Sequence, residues 1–203
     1  MMIFTGGENL RVSEKKRKTT ETDIEIRIDI DGSGKSDIDT GIGFLDHMLI
    51  LFSKHGLFDL TVKCDGDLHI DGHHTVEDIG ITLGEAVKEA IGDKKGIVRY
   101  ADTFTPMDEV LTLTALDLGG RPYLQIDTEF SREMVGSFDT ELVEEFFRGF
   151  SNAAMANVHL RVISNGNTHH VIESMFKGFG RTLDKATRYD ERITDVMSTK
   201  GVI

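Results

Sequence analysis

One cysteine, Cys64, stands alone among 203 residues, and tryptophan is absent. A single thiol can form neither an intrachain disulfide nor a multi-thiolate zinc site, so the chain reads as one made for a reducing, cytoplasmic setting. Basic residues are outnumbered: 23 Lys+Arg face 35 Asp+Glu, for a formal charge of −12. That balance excludes a general nucleic-acid binder, which needs a basic face to neutralise phosphates, and it disfavours docking on anionic lipid. No apolar run reaches the roughly 18 residues of a membrane span. Residues 1–10 (MMIFTGGENL) lack a charged segment followed by an apolar one, so no signal peptide is expected. Nucleotide and hydrolase signatures are missing too. There is no G-x-G-x-x-G, no Walker loop and no G-x-S-x-G elbow, and Gly178-Phe179-Gly180-Arg181 falls inside a helical pattern where it reads as packing. What is present is enough apolar material for a core, at 39% hydrophobic residues, and eight histidines.

The hydropathy pattern runs twice through one plan. Lys15, Lys16, Arg17 and Lys18 form a basic run that reads as a solvated loop or strand edge. Ile24, Ile26, Ile28 and Ile30 alternate with charged residues as a half-buried strand, and residues 31–34 make a turn. Phe44, Met48, Leu51 and Phe52 share a face of a helix predicted over 43–55, stopped at Gly56. Leu60, Val62 and Cys64 form a strand in which the thiol is expected to be buried and inert. Ile79, Leu83, Val87 and Ile91 then mark a helix that starts near His74 and ends at Gly92. In the second half, strands over 110–118 and 123–127 precede a helix expected from an Asp139 N-cap through Phe150. A strand over 158–162 and a long helix over 169–188 follow, and the tail over 190–203 shows no periodicity. The expected fold class is therefore α+β. Two similar halves, 1–92 and 93–203, each pair a small, mostly antiparallel sheet with two helices in one compact unit.

Each half's last helix opens with the same letters. His73-His74-Thr75-Val76-Glu77 and His169-His170-Val171-Ile172-Glu173 share the pattern His-His-x-x-Glu at an offset of 96 residues. Helical neighbours lie about 100° apart, so Glu can share a face with either histidine, whereas adjacent histidines point apart and suit different ions. Two copies could thus hold two ions, with some ligands drawn from a neighbouring subunit. Imidazole plus carboxylate without thiolate suits Mn, Fe, Co, Ni or Zn over Ca or Mg. His47 and His55 lie on a helix, His159 on a strand and His69 close before His73, and spacing alone leaves their roles open.

These residues add up to a recognisable pattern. Thr-Glu-Thr (20–22), GIGFLDHM (41–48), DGDLHIDGHHTVEDIGITLGEA (65–86), PMDE (106–109), GRPY (120–123), ELVEEFFR (141–148), NTHHVIE (167–173) and STKG (198–201) occur in order along the chain. In them the sequence resembles the imidazoleglycerol-phosphate dehydratase family of histidine biosynthesis. The resemblance implies a metal-dependent carbon–oxygen lyase converting imidazole glycerol phosphate to imidazole acetol phosphate through a metal-bound imidazolate. It implies two Mn2+ per subunit, held by His47, His73, His74, Glu77, His159, His169, His170 and Glu173. It also implies a homo-oligomer of 24 subunits with active sites shared at subunit contacts, a small phosphate substrate, and neither nucleic acid nor membrane as partner. Catalytic roles would fall to Glu21, His55 and Glu173, and substrate contacts to Glu21, His47, His55, Arg99, Arg121, Lys177, Ser198 and Lys200.

The family's chemistry needs such groups. The proton to be removed lies on a carbinol carbon and hydroxide leaves poorly, so Lewis-acid assistance and general acid–base catalysis are both required. Cations must also draw a phosphate to a protein of net negative charge. Three departures stand out: Leu51 where the family often has a polar Gln, Gly72 where Asp commonly precedes the histidine pair, and Met197 where Pro precedes STKG. Competing classes are a dinuclear-metal phosphate-ester hydrolase and a metal-storage shell. The latter would call for four long Glu-x-x-His helices rather than these strands and glycine turns.

Overall fold

The computed structural model describes residues 11–203, so the signal-peptide reading of 1–10 lies outside the described residues. The first half builds β1 (Val12–Lys18), β2 (Thr22–Asp29), β3 (Ser36–Asp39), α1 (Gly43–Gly56), β4 (Asp59–Gly66) and α2 (His73–Ile91). The second builds β5 (Tyr100–Met107), β6 (Val110–Asp117), β7 (Tyr123–Asp127), a hairpin of β8 (Met134–Val135) and β9 (Phe138–Asp139), α3 (Leu142–Ala154), β10 (Asn157–Ser164) and α4 (Thr168–Thr187). The sheet orders are β1-β2-β4-β3 and β5-β6-β10-β7. In each sheet the last pair, β3–β4 or β7–β10, is parallel and the others antiparallel, because α1 or α3 carries the chain across between the parallel strands. The duplicated α+β architecture is thus the one expected.

Alternation explains the layers. β2 turns Ile24, Ile26 and Ile28 fully inward and Asp23, Glu25 and Arg27 outward. The buried faces cover the helices, with α2 against β1 and β2 and α4 against β5 and β6. The four helices lie between the two sheets, α1 crossing α4 and α2 crossing α3. Phenylalanines fill this centre: Phe52 stacks on Phe179 at 5.4 Å, and Phe150 meets Phe179 edge-on at 4.8 Å.

Both crossings are close for the same reason. A Cβ on Gly180 would fall 2.4 Å from the Phe52 carbonyl oxygen, and one on Gly84 would fall 2.6 Å from that of Phe150. Gly84 and Gly180 stand in the same register as the two His-His-x-x-Glu motifs. α1 and α3 likewise match: Ser53 and Ser151 donate to the carbonyls of Phe58 and Ala156, and both helices end on a left-handed residue, Leu57 or Met155.

Two local expectations change. α3 begins at Leu142 rather than at an Asp139 cap. Phe138 and Asp139 pair with β8, and the Asp139 carboxylate accepts from the Glu141 N–H in a turn before the helix. Cys64 is half-buried rather than buried. The basic run is a strand edge, one of the two readings expected for it: it forms edge strand β1, with Arg17 turned in to Asp78 at 2.8 Å and its lysines paired to Glu89, Glu25 and Asp23. The aperiodic tail is docked: Ile97 bridges Tyr189 and Lys95 bridges Val196. No described helix is long and apolar enough to cross a membrane.

Candidate metal centre

The α1–α4 crossing brings three expected ligands together. His47 on α1, His169 in the first turn of α4 and Glu173 one turn on present donor atoms that all lie within 4.8 Å of one another. His169 Nε2 and His47 Nε2 lie 3.2 and 3.6 Å from the same oxygen, Glu173 Oε2. Metal–donor bonds of about 2.0–2.3 Å place ligands of one ion at such spacings. Asn167 starts the helix by accepting from the His169 N–H at 2.9 Å, and Phe44 meets the His169 ring edge-on at 5.2 Å. Burial opposes charge on Glu173, yet the Lys177 ammonium on its other oxygen, with His47 and His169, keeps its carboxyl below the usual range.

The second histidines face different partners. His74 Nδ1 lies 2.9 Å from Asp67 Oδ2 and 3.8 Å from Glu21 Oε2. The hydrogen bond to Asp67 raises the His74 pKa. His170 Nδ1 lies 3.0 Å from Glu109 Oε2, and Asp108 completes a second donor group with them. The Asn167 N–H donates to Glu109 at 2.7 Å, and with its own N–H and His170 this holds the Glu109 carboxyl down at about 2. Neither Asp67 nor Glu109 was singled out as functional from the sequence. Glu109 lies 61 residues before His170, Asp67 only seven before His74, and both fall within stretches that carry the family resemblance.

Other expected residues lie elsewhere. His73 lines a cavity of about 390 Å³ with Leu68, Asp71, Phe138 and Leu142. Asp71 accepts from the His73 N–H at 2.8 Å, so the residue before Gly72 caps this helix. A side chain at Gly72 would press on Ile42 and Leu142. Glu77 follows on α2, where α3 offers Glu145, paired to Arg148, in the place that His47 holds on α1. His159 is exposed on β10, its ring 5.5 Å from Tyr123, on the sheet face turned away from the helices. Among the described residues no donor group includes His73, Glu77 or His159.

His55 ends α1, where burial and the charges of Lys177 and Arg181 push its pKa down and favour the neutral ring. Arg99, Arg121, Ser198 and Lys200 line one cavity of about 860 Å³ under the docked tail. Arg99 is largely committed within the chain. It is forked on Asp117 at 2.8 and 3.1 Å, and its Nη1 donates to the Met197 carbonyl. Met197 thereby ties the tail down through its backbone. Leu51 packs half-buried against the core and offers no polar contact.

The sequence model of the imidazoleglycerol-phosphate dehydratase family matches residues 40–183. The chain belongs to that family. It is 61% identical to the imidazoleglycerol-phosphate dehydratase of Acetivibrio thermocellus over 95% of its own length and 99% of the relative's. It is 55% identical to that of Listeria welshimeri over 96% of its own length and 100% of the relative's. The crystal structure of the Staphylococcus aureus imidazoleglycerol-phosphate dehydratase is matched with a TM-score of 0.80 at 44% identity, over 88% of this chain and 99% of that one. The Pyrococcus furiosus structure is matched at 0.81 and 36%, over 93% and 100%. As a member of the imidazoleglycerol-phosphate dehydratase family the chain is a carbon–oxygen hydro-lyase of histidine biosynthesis.

Proposed function

We propose that the chain is a cytoplasmic, Mn2+-dependent enzyme that dehydrates imidazole glycerol phosphate to imidazole acetol phosphate, with two ions per subunit. The observation that carries the metal is the convergence of His47, His169 and Glu173 at one helix crossing. The donor set fits: two imidazoles and a carboxylate, with no thiolate, suit a divalent transition ion. His73, Glu77, His74, His159 and His170 supply the remaining expected ligands. When bound, the ions supply Lewis acidity that favours the deprotonated form of the substrate's imidazole and so eases loss of the neighbouring hydroxyl.

The chain's own residues do the rest. Glu21, exposed at the β1–β2 turn beside His74, contacts the glycerol hydroxyls, and its Oε2 takes the C2 proton. The neutral His55 ring hydrogen-bonds the departing C3 hydroxyl. Glu173 keeps its negative charge, with one oxygen toward the two histidines and the other toward Lys177. Arg121, Ser198 and Lys200 receive the phosphate, and Arg99 anchors the tail that carries the last two.

His159 points to shared sites. The outer face of its sheet carries exposed Tyr100, Phe104 and Tyr123, while the matching face of the first sheet carries Asp23, Glu25, Arg27 and Lys63. An apolar face around a histidine suits contact with another copy, where His159 meets ligands this chain does not hold near it. The 24-subunit assembly belongs to this reading.

The test is turnover of imidazole glycerol phosphate by metal-free and Mn2+-reloaded protein. An enolisable ketone formed only after reloading supports the proposal, whereas full turnover without metal refutes the metal dependence. Release of inorganic phosphate would mark a hydrolase, and absence of any product a storage protein. Glu21→Gln with full turnover and both ions bound would remove Glu21 from the mechanism.

A further inference from the structure

The two halves solve one problem with different residues. The β1–β2 and β5–β6 hairpins correspond strand for strand, with Lys18 opposite Asp23 in the first and Pro106 opposite Leu111 in the second. In that register Glu21 and Glu109 are counterparts, each at the hairpin end beside the second histidine of its half's motif. Their placement differs. Glu109 lies 3.0 Å from His170 Nδ1 and also accepts from the Asn167 N–H. Glu21 Oε2 stands 3.8 Å from His74 Nδ1, outside hydrogen-bond range, because Asp67 occupies that nitrogen at 2.9 Å.

The turn after the last strand shows the reverse exchange. Asp67 follows β4 directly, and Asn165 is its counterpart after β10. Asn165 faces away from the histidine, donating to the Glu129 carbonyl and accepting from the Gly166 N–H. Asp67 is held by its own N–H on the Glu21 carbonyl at 3.0 Å, and its side chain is 11% exposed. Its second oxygen, Oδ1, is buried with no partner in the chain. Packing alone would not favour a nearly buried carboxylate with one oxygen unmatched.

We propose that Asp67 and Glu109 are positioning residues, each fixing the proton of its histidine on Nδ1 and turning Nε2 outward as the donor. Because Asp67 has taken this task in the first half, Glu21 is free to serve the substrate, while its counterpart Glu109 is not. This deepens the metal reading and rests on it. An imidazole held through one nitrogen by a carboxylate has a fixed tautomer and ring orientation, and loss of such a partner costs about 10–100-fold in metal affinity. The exchange also accounts for one hairpin glutamate per chain being left near a histidine without bonding it.

Two readouts test it on the full-length chain. In metal-free protein with labelled histidine, 15N spectra should show His74 and His170 as the Nδ1–H tautomer. Asp67→Ala should release His74 alone, and Glu109→Ala should release His170 alone. In Mn2+ equilibrium dialysis, each alanine variant should lose about 10–100-fold in affinity at one class of site. Glu109→Gln, which keeps an acceptor at the same place, should recover most of the loss, and Glu21→Gln should leave both classes unchanged. Parental affinities and unchanged tautomers in both alanine variants overturn the proposal, as does a Glu21→Gln loss equal to that of Glu109→Ala. Folding is checked by the parental tautomer of the untouched histidine in each variant. If the parent binds no Mn2+, the metal reading fails by itself, and the tautomers still decide whether Asp67 and Glu109 position the rings.

Discussion

Alanine at Gly180 should damage both stability and the proposed metal centre, through a single contact. Its Cβ would sit 2.4 Å from the Phe52 carbonyl oxygen and 3.1 Å from the Gly56 nitrogen, all of it backbone that cannot rotate aside. Restoring ordinary contact requires α1 and α4 to separate by about 1 Å at that point. Overpacking of this kind costs about 1–3 kcal/mol, and the better helix propensity of alanine returns up to about 1 kcal/mol. The net loss is about 1–2 kcal/mol, which for a domain of this size lowers Tm by about 2–8 °C. The same separation carries His47 away from Glu173, now 3.6 Å apart across the crossing, so Mn2+ should bind more weakly as well. Calorimetry and equilibrium dialysis read the two effects. Gly84→Ala should lose comparable stability at the α2–α3 crossing without touching the His47–Glu173 spacing. Gly43→Ala, whose Cβ meets nothing within 4 Å, should be neutral or slightly stabilising. A Gly180→Ala protein with parental Tm and parental Mn2+ affinity would refute the reasoning.

Four further outcomes follow from local contacts. Thr114→Val removes a buried hydroxyl that has no partner, so stability should hold or rise by up to about 1–2 kcal/mol in urea unfolding. Thr112→Val breaks a bond to Ser174 and should cost about 0.5–1.5 kcal/mol. Burial first, then nearby Asp65 and Asp78, pushes the Cys64 thiol up to about 11; its alkylation should stay slow at pH 8 and accelerate only toward pH 11. Deleting residues 198–203 removes Ser198 and Lys200 from the cavity that also holds Arg99 and Arg121, and should raise KM for the phosphate substrate more than it lowers kcat.

Sequence pattern revealed those elements whose buried face is apolar. β2, with isoleucine at every inward position, and the long helices α1, α2 and α4 are plain in the alternation and spacing of their hydrophobic residues. β5 escaped because its inward residues are Thr103 and Thr105, which face the polar seam of α4 near Ser174 and Thr182 rather than an apolar core. β3 escaped as a four-residue edge strand, Ser-Asp-Ile-Asp, with little to bury. The His-His-x-x-Glu motifs were legible because helical geometry brings their residues near one another within five positions. Asp67 and Glu109 were not, since their contacts with His74 and His170 depend on where two turns place the chain.

The duplication explains why packing stayed alike while chemistry diverged. Gly84 and Gly180 sit where two backbones touch, and Phe52 and Phe150 lie in the carbonyl contacts they permit, so either crossing between the halves is disrupted if these change. The helix starts carry no such constraint, being open to solvent and held by turns. Near them the halves differ in their proposed functional residues: His47 against Glu145 and Asp67 against Asn165, with Lys177 against Ile81 further along α4 and α2. One crossing consequently gathers His47, His169 and Glu173 within a single chain, and the other leaves His73 and Glu77 without a third donor among the described residues. Under the proposed metal reading that asymmetry has a cost and a use. The α2 site must be completed from outside the chain, which makes ion binding and assembly mutually dependent. Diluting the protein until subunits part should therefore release the two ions unequally, with the ion at His47, His169 and Glu173 retained longer.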